Sequence, residues 1–158
     1  MTIRKVGGQT SPSHLIIKAL AKRGGCMDLG ELKAAVYPLI APEQAVRRRT
    51  IRRGQDDIPV EEKISQGRRK TFSDAMSNLT ASKTVENGDD VASLTDNAMD
   101  RYPELCIYLV RDQAVLAVLE RLSDLLSEIN HNHLRCGARI AIKAVIKMQL
   151  EKEEKEEI

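Results

Sequence analysis

The chain has 158 residues, and its 25 lysines and arginines against 23 aspartates and glutamates leave a formal net charge of +2, so any nucleic-acid signal must lie in the distribution of charge rather than in its total. One Phe, three Tyr and no Trp require an aliphatic core, and the length suits one domain or a small domain with an oligomerising appendage. Cys26, Cys106 and Cys136 are widely spaced with no CxxC, which argues against a disulfide framework and for free thiols in a reducing compartment, and no apolar run approaches the roughly 20 residues of a membrane span.

Residues 1–10 are polar, carry Gly7 and Gly8, and lack the apolar stretch of a signal peptide. They read as a loose arm of a soluble, cytoplasmic protein. Ser11-Pro12 offers a cap and a proline at the first helical position. Leu15, Ile16, Ala19 and Leu20 would line the buried side of this first helix, which Gly24-Gly25 ends. Cys26-Met27 reads as a short single strand. Asp28 is placed to cap a second helix, with Glu31 in a capping-box position and Leu29, Leu32 and Val36 inward. Pro38 and Pro42 bracket its end.

Residues 41–67 read as a basic helical insertion. Pro42-Glu43 starts a helix expected to run to Arg53, where Gly54-Gln55-Asp56-Asp57 breaks it. Pro59 starts a second short helix through Ser65, which Gly67 stops. Between residues 47 and 70 there are nine cationic side chains against four anionic ones. Next, Phe72, Ala75, Met76 and Leu79 recur at i, i+3, i+4 and i+7, one buried face of a helix. Thr71 is the expected N-cap, with Asp74 three residues on. After Ser82 the pattern changes to two β-prone runs, Thr84-Val85 and 91–94, around Asn87-Gly88, a strong hairpin signal.

Pro103 opens the longest apolar-periodic region. Leu105, Leu109, Leu116, Leu119, Leu122, Leu126 and Ile129 form a wide stripe over some seven turns, interrupted at 130–133. A last helix carries Ala138, Ala141, Ile142, Val145, Ile146 and Leu150 and runs into a solvated acidic end at 151–157. Helices this apolar on a small chain call for a partner surface, and a helical dimerisation arm is the economical answer. The dimer contacts would come from Leu109, Leu116, Leu119, Leu122, Leu126, Ile129, Ile142, Val145 and Ile146. An intramolecular packing of the same helices is the alternative. His131, His133 and Cys136 lack a fourth ligand and fit an inter-helix turn better than a metal half-site. No phosphate loop or catalytic constellation is present, so neither an enzyme nor a cofactor is expected.

Helix, short strand, helix, inserted segment, helix and hairpin in that order resemble a winged helix-turn-helix domain, covering residues 11–96, and imply a mainly α fold with a small β-hairpin and a C-terminal helical arm. Leu94-Thr95-Asp96 looks like the end of the wing in transcriptional regulators of the PadR and MarR type, and the trailing helices are similar in kind to the PadR arm. The resemblance implies binding of double-stranded DNA by a homodimeric transcriptional regulator, associated with the nucleoid in a bacterium or archaeon. Ser73, Ser77 and Asn78 would face the major groove. Arg68, Arg69 and Lys70, at the expected helix N-terminus, would meet phosphates, tracked further by Arg47, Arg48, Arg49, Arg52 and Arg53, with Lys83 on the strand side. A competing reading makes 43–53 the recognition helix. The acidic wing tip (Glu86, Asp89, Asp90) would repel phosphates and favours the alternative of a protein-interaction module in a DNA partition or replication complex, with the C-terminal helices contacting a protein partner.

Overall fold

The structure, a computed structural model, describes residues 11–48 and 58–156. It is mainly helical with one small antiparallel sheet. Helix α1 (Pro12–Lys22) starts at Ser11, whose hydroxyl makes no capping bond; the proline at the first helical position sets the start. The helix ends in paired bonds from Gly25 N–H to the Leu20 carbonyl (2.7 Å) and from Gly24 N–H to the Ala21 carbonyl (3.1 Å), a Schellman closure. Both glycines have positive φ, 84° and 97°, a region that costs an L-residue about 1–2 kcal/mol. The chain then enters β1 (Cys26–Asp28) and α2 (Leu29–Val36), where Asp28 Oδ2 accepts the Glu31 N–H at 3.2 Å. Glu31 itself turns to Arg23 (2.9 Å) instead of completing a capping box.

A 3₁₀ turn (Tyr37–Leu39) leads to α3 (Pro42–Arg48). The segment 49–57, which holds the expected break at 54–57 and the charges Arg49, Arg52 and Arg53, lies outside the described residues, as do the side chains of Arg47 and Arg48. Helix α4 then runs unbroken from Val60 to Ala81, 22 residues. This corrects two sequence expectations. Gly67 does not stop a helix; it sits mid-helix where α3 crosses, and a Cβ there would fall 1.8 Å from the Ala45 carbonyl oxygen. Thr71 is not an N-cap but a buried interior residue whose hydroxyl has no hydrogen-bond partner.

The hairpin forms from β2 (Val85–Asn87) and β3 (Val91–Leu94), and β3 is central in the order β1-β3-β2. Asn87 pairs with Ala92, and Gly88 N–H donates to the Val91 carbonyl at 2.8 Å. The turn residues are therefore Asp89-Asp90, not Asn87-Gly88. Glu86 faces Ser93, which avoids the Glu86–Asp89 opposition that a turn at Asn87-Gly88 would force. Thr95 closes the hairpin onto the end of α4: its hydroxyl donates to the Lys83 and Thr84 carbonyls, and Asn97 adds a bond to Lys83 O at 3.3 Å. Lys83 holds the turn between α4 and β2 at φ 62°.

The expected long apolar helix from Pro103 is instead divided. After α5 (Asp96–Arg101) come α6 (Pro103–Cys106), a 3₁₀ turn (Ile107–Leu109), an extended step, α7 (Gln113–Ser127) and α8 (Asn132–Glu156). Asp112 caps α7 through Oδ1 to Ala114 N–H (3.0 Å) and Val115 N–H (3.2 Å). Glu153 reinforces the same end. It is not part of a solvated tail but buried, and its Oε1 accepts the N–H groups of Arg111 (2.6 Å) and Asp112 (2.9 Å). That bond places the C-terminal end of α8 beside the start of α7, so the two helices run antiparallel.

Two apolar clusters result. The first joins Ile16, Ile17 and Leu20 of α1 to Leu32 and Val36 of α2, Phe72, Met76 and Leu79 of α4, and Val85 and Ala92 of the sheet. The second joins Ala98, Cys106, Ile107 and Val110 to Leu119, Leu126, Ile142 and Ile146. Each fully buried aliphatic side chain stabilises the fold by about 1.5–3 kcal/mol. Burial, with a smaller contribution from Glu104, pushes the Cys106 thiol up to about 12.

Candidate nucleic-acid interface

Helix α4 turns Phe72, Ala75, Met76 and Leu79 into the first cluster and leaves Arg69, Lys70, Ser73, Ser77, Asn78 and Thr80 exposed. Beside that face, α2 and the β2 end of the hairpin rise to form a groove of about 730 Å³. Its polar lining comes from Lys33, Arg69, Ser73, Ser77, Thr80 and Asn87, over an apolar floor that includes Leu29, Phe72 and Met76. Tyr37 packs edge-on against Phe72 at 5.5 Å. Burial raises its phenol above the ordinary range, against the opposing pull of the Arg69 charge. The lining thus carries two cations, Lys33 and Arg69, five neutral hydrogen-bonding side chains (Tyr37, Ser73, Ser77, Thr80 and Asn87) and no carboxylate.

The predicted residues divide. Arg69, Ser73 and Ser77 come together in the groove. Arg68 does not: its Nε donates to the Ile40 carbonyl at 3.1 Å, half-buried, and ties α4 to the segment before α3. Lys70 faces Asp74 at 3.7 Å, one turn on, an exposed pair worth about 0.3–0.5 kcal/mol. None of the three lies at a helix N-terminus, because α4 begins at Val60, so the helix dipole adds nothing to their charge. Asn78 is exposed but outside the groove. Lys83 borders a separate depression with Glu86, Asp96 and Asn97. Helix α3 lays Ala45, fully buried, against α4, so part of the competing recognition segment 43–53 is a packing element.

Lys33, Thr80 and Asn87 were not singled out by sequence. Asn87 was visible only as a turn residue. Lys33 belongs to the groove because α2 stands opposite α4 along it, a tertiary fact that the helical phase of α2 alone does not carry. Asp89 and Asp90 do not line the groove but border it: both are exposed, and the Asp90 carbonyl accepts the N–H of the lining residue Leu29 at 2.7 Å, which tethers the tip to the start of α2.

Of the residues expected in dimer contacts, Leu119, Leu126, Ile142 and Ile146 are buried inside the chain, in the second cluster, where α7 and α8 pack on α5 and α6. Leu109, Leu116 and Ile129 are half-buried against it. Leu122 and Val145 are exposed. Beside them lie Val118 and Leu125, which belong to the stripe legible in the sequence, and Leu134 and Met148, which the sequence did not single out; all four are exposed.

All three cysteines are free. His131 and His133 stand at the turn between α7 and α8 with ring centroids 5.5 Å apart. Among the described residues no group of three or more His, Cys, Asp or Glu could hold a metal ion, and no helix is long and apolar enough to cross a membrane. Comparison with protein-family models, with curated proteins and with solved structures finds no match to this chain.

Proposed function

We propose that the chain is a winged helix-turn-helix protein that binds double-stranded DNA as a homodimer and acts in transcriptional regulation. The observation that carries the reading is the carboxylate-free groove around the exposed face of α4, with Lys33 and Arg69 as its cations. The order α1-β1-α2, α4 and then a hairpin, with a β1-β3-β2 sheet, is the arrangement in which such a domain presents a recognition helix. Serine, threonine and asparagine side chains then reach base edges and phosphates while the cations neutralise the backbone.

A second copy supplies the partner for the exposed stripe. On α7, Ala114, Val118, Leu122 and Leu125 are exposed; on α8, Leu134, Ala141, Val145 and Met148 are exposed, with Ala138 half-buried among them. The α8 spacing of 4-3-4-3 is that of a helix-pairing seam. Val118 directly precedes buried Leu119, and Val145 directly precedes buried Ile146. One residue is about 100° of helix, so both stripes lie to the same rotational side of their buried faces. In an antiparallel pair that offset puts both on one surface, which is self-complementary about a twofold axis.

The test is polarisation of a labelled random duplex at two salt concentrations. Binding should weaken steeply with salt, and Lys33→Ala/Arg69→Ala should flatten the log–log slope by about 2 units. Absent or salt-insensitive binding would sink the DNA reading. It would favour the protein-assembly alternative, to which the acidic tip at Glu86, Asp89 and Asp90 points.

A further inference from the structure

A second cleft, of about 1040 Å³, lies between the two apolar clusters, walled by α1, the α5–α6 junction, α7 and the start of α8. Its size is at the upper end of small-molecule sites, commonly about 300–1,000 Å³. Three rings line it. His14 and Tyr102 meet edge to face at 5.4 Å. Tyr108 lies beneath two ammonium groups, Lys18 at 5.0 Å and Lys22 at 5.1 Å from its centroid.

The cations around the rings outnumber the anions: Lys18, Lys22, Arg101, Arg135 and Arg139 stand against Glu104, Asp124 and Glu120, which accepts the Tyr108 hydroxyl at 3.3 Å. Arg139 is satisfied by Glu104 at 3.2 Å and by the Arg101 carbonyl. The side chains of Lys18, Arg101 and Arg135 make no ion pair with any described residue, and the one remaining carboxylate of the lining is Asp124. The lining therefore carries an excess of positive charge beside flat apolar faces. Helix α7 ends and α8 begins at this rim, so their dipoles oppose each other and the side chains decide the sign.

We propose that this cleft binds a small aromatic anion, a ring compound bearing one sulfonate, carboxylate or phosphate group. Arg101 and Arg135 grip the anionic group, since a guanidinium offers paired donors to such oxygens. The ring lies against the His14, Tyr102 and Tyr108 side, where cationic neighbours and apolar faces suit a π-system. The inference stands independently of DNA binding, because none of these residues lines the α2–α4 groove.

The probe is 1-anilinonaphthalene-8-sulfonate, titrated into the folded full chain and followed by its fluorescence, with the ring protons of His14 followed by NMR. Saturable binding that shifts the His14 signals is expected. Arg101→Gln/Arg135→Gln should weaken it at least about ten-fold, one charged hydrogen bond's worth. Both arginines are exposed, and unchanged thermal unfolding will show that the variant is folded. Leu39→Ser, at an exposed apolar residue outside the cleft and the proposed dimer surface, should leave affinity unchanged. The proposal is overturned if the arginine variant binds like the parent, if the Leu39 variant abolishes binding, or if no saturable binding occurs.

Discussion

Replacing Gly67 by alanine separates two accounts of this residue that predict opposite signs. If Gly67 were only a weak point in a helix, alanine would stabilise α4 by about 1 kcal/mol through propensity. The packing says otherwise. A Cβ at this position falls 1.8 Å from the Ala45 carbonyl oxygen, 2.4 Å from its carbonyl carbon and 3.0 Å from its Cα. These are backbone atoms, so no rotamer change relieves the contact. Reaching even 3.0 Å from the oxygen needs α3 or α4 to move by about 1.2 Å, the difference between that limit and 1.8 Å. Ala45, fully buried, and the Arg68–Ile40 bond sit in the same contact. Overpacking of this kind costs about 1–3 kcal/mol, and more where backbone must shift, so the net loss should be about 2 kcal/mol after the propensity gain. For a chain of this length that lowers Tm by about 4–8 °C, read by far-ultraviolet circular dichroism. Gly137 is the control: it lies inside α8, and its added Cβ meets nothing within 4 Å. Gly137→Ala should therefore raise Tm by about 2–4 °C. A Gly67→Ala protein as stable as the parent, or more so, would refute the close crossing of α3 and α4.

Thr71→Val removes a buried hydroxyl that has no partner and should stabilise the fold by about 1 kcal/mol in urea titration; a loss would mean that the hydroxyl is bonded after all. Glu153→Ala leaves the N–H groups of Arg111 and Asp112 without their acceptor, at a cost of about 2 kcal/mol, whereas Glu156→Ala, exposed on the same helix, should change little. At pH 8 iodoacetamide should alkylate exposed Cys26 and Cys136 well before Cys106, whose buried thiol titrates only at about 12 and so presents almost no thiolate; three equal rates would contradict its burial. Val118→Asp/Val145→Asp should convert a dimer to a folded monomer in sedimentation, because both side chains are exposed within one chain and would meet like charges across the proposed twofold interface. A dimer that persists would put the interface elsewhere.

The signals that are legible in the sequence are those made by neighbouring atoms. Gly24-Gly25, Asp28 and the Phe72/Ala75/Met76/Leu79 face need only local geometry, and they appear as expected. Other features depend on atoms remote in sequence. Gly67 resembles a helix stop until α3 is laid across it, and nothing near Arg68 in the sequence announces the Ile40 carbonyl that its Nε bonds. Asn87-Gly88 resembles the hairpin turn, yet the register that pairs Glu86 with Ser93 moves the turn to Asp89-Asp90. In the same way Glu153 resembled one more charge in an acidic run until the start of α7 was brought to it.

The apolar stripe of the C-terminal half was legible as a stripe, but its width has a structural cause that one helix face cannot supply. A helix that only buries a core needs an apolar sector centred on one direction. Here α7 and α8 each show two: one holding Leu119 and Leu126 or Ile142 and Ile146 inside the chain, and a second, offset by about one residue, left exposed at Val118 and Leu122 or at Val145 and Met148. The internal sector accounts for a folded C-terminal region without a partner. The exposed sector is what a second copy would cover, and it identifies the substitutions that test dimerisation without disturbing the fold. Those are Val118 and Val145, not Leu119 and Ile146, whose replacement would unfold the second cluster and leave the oligomeric state unread.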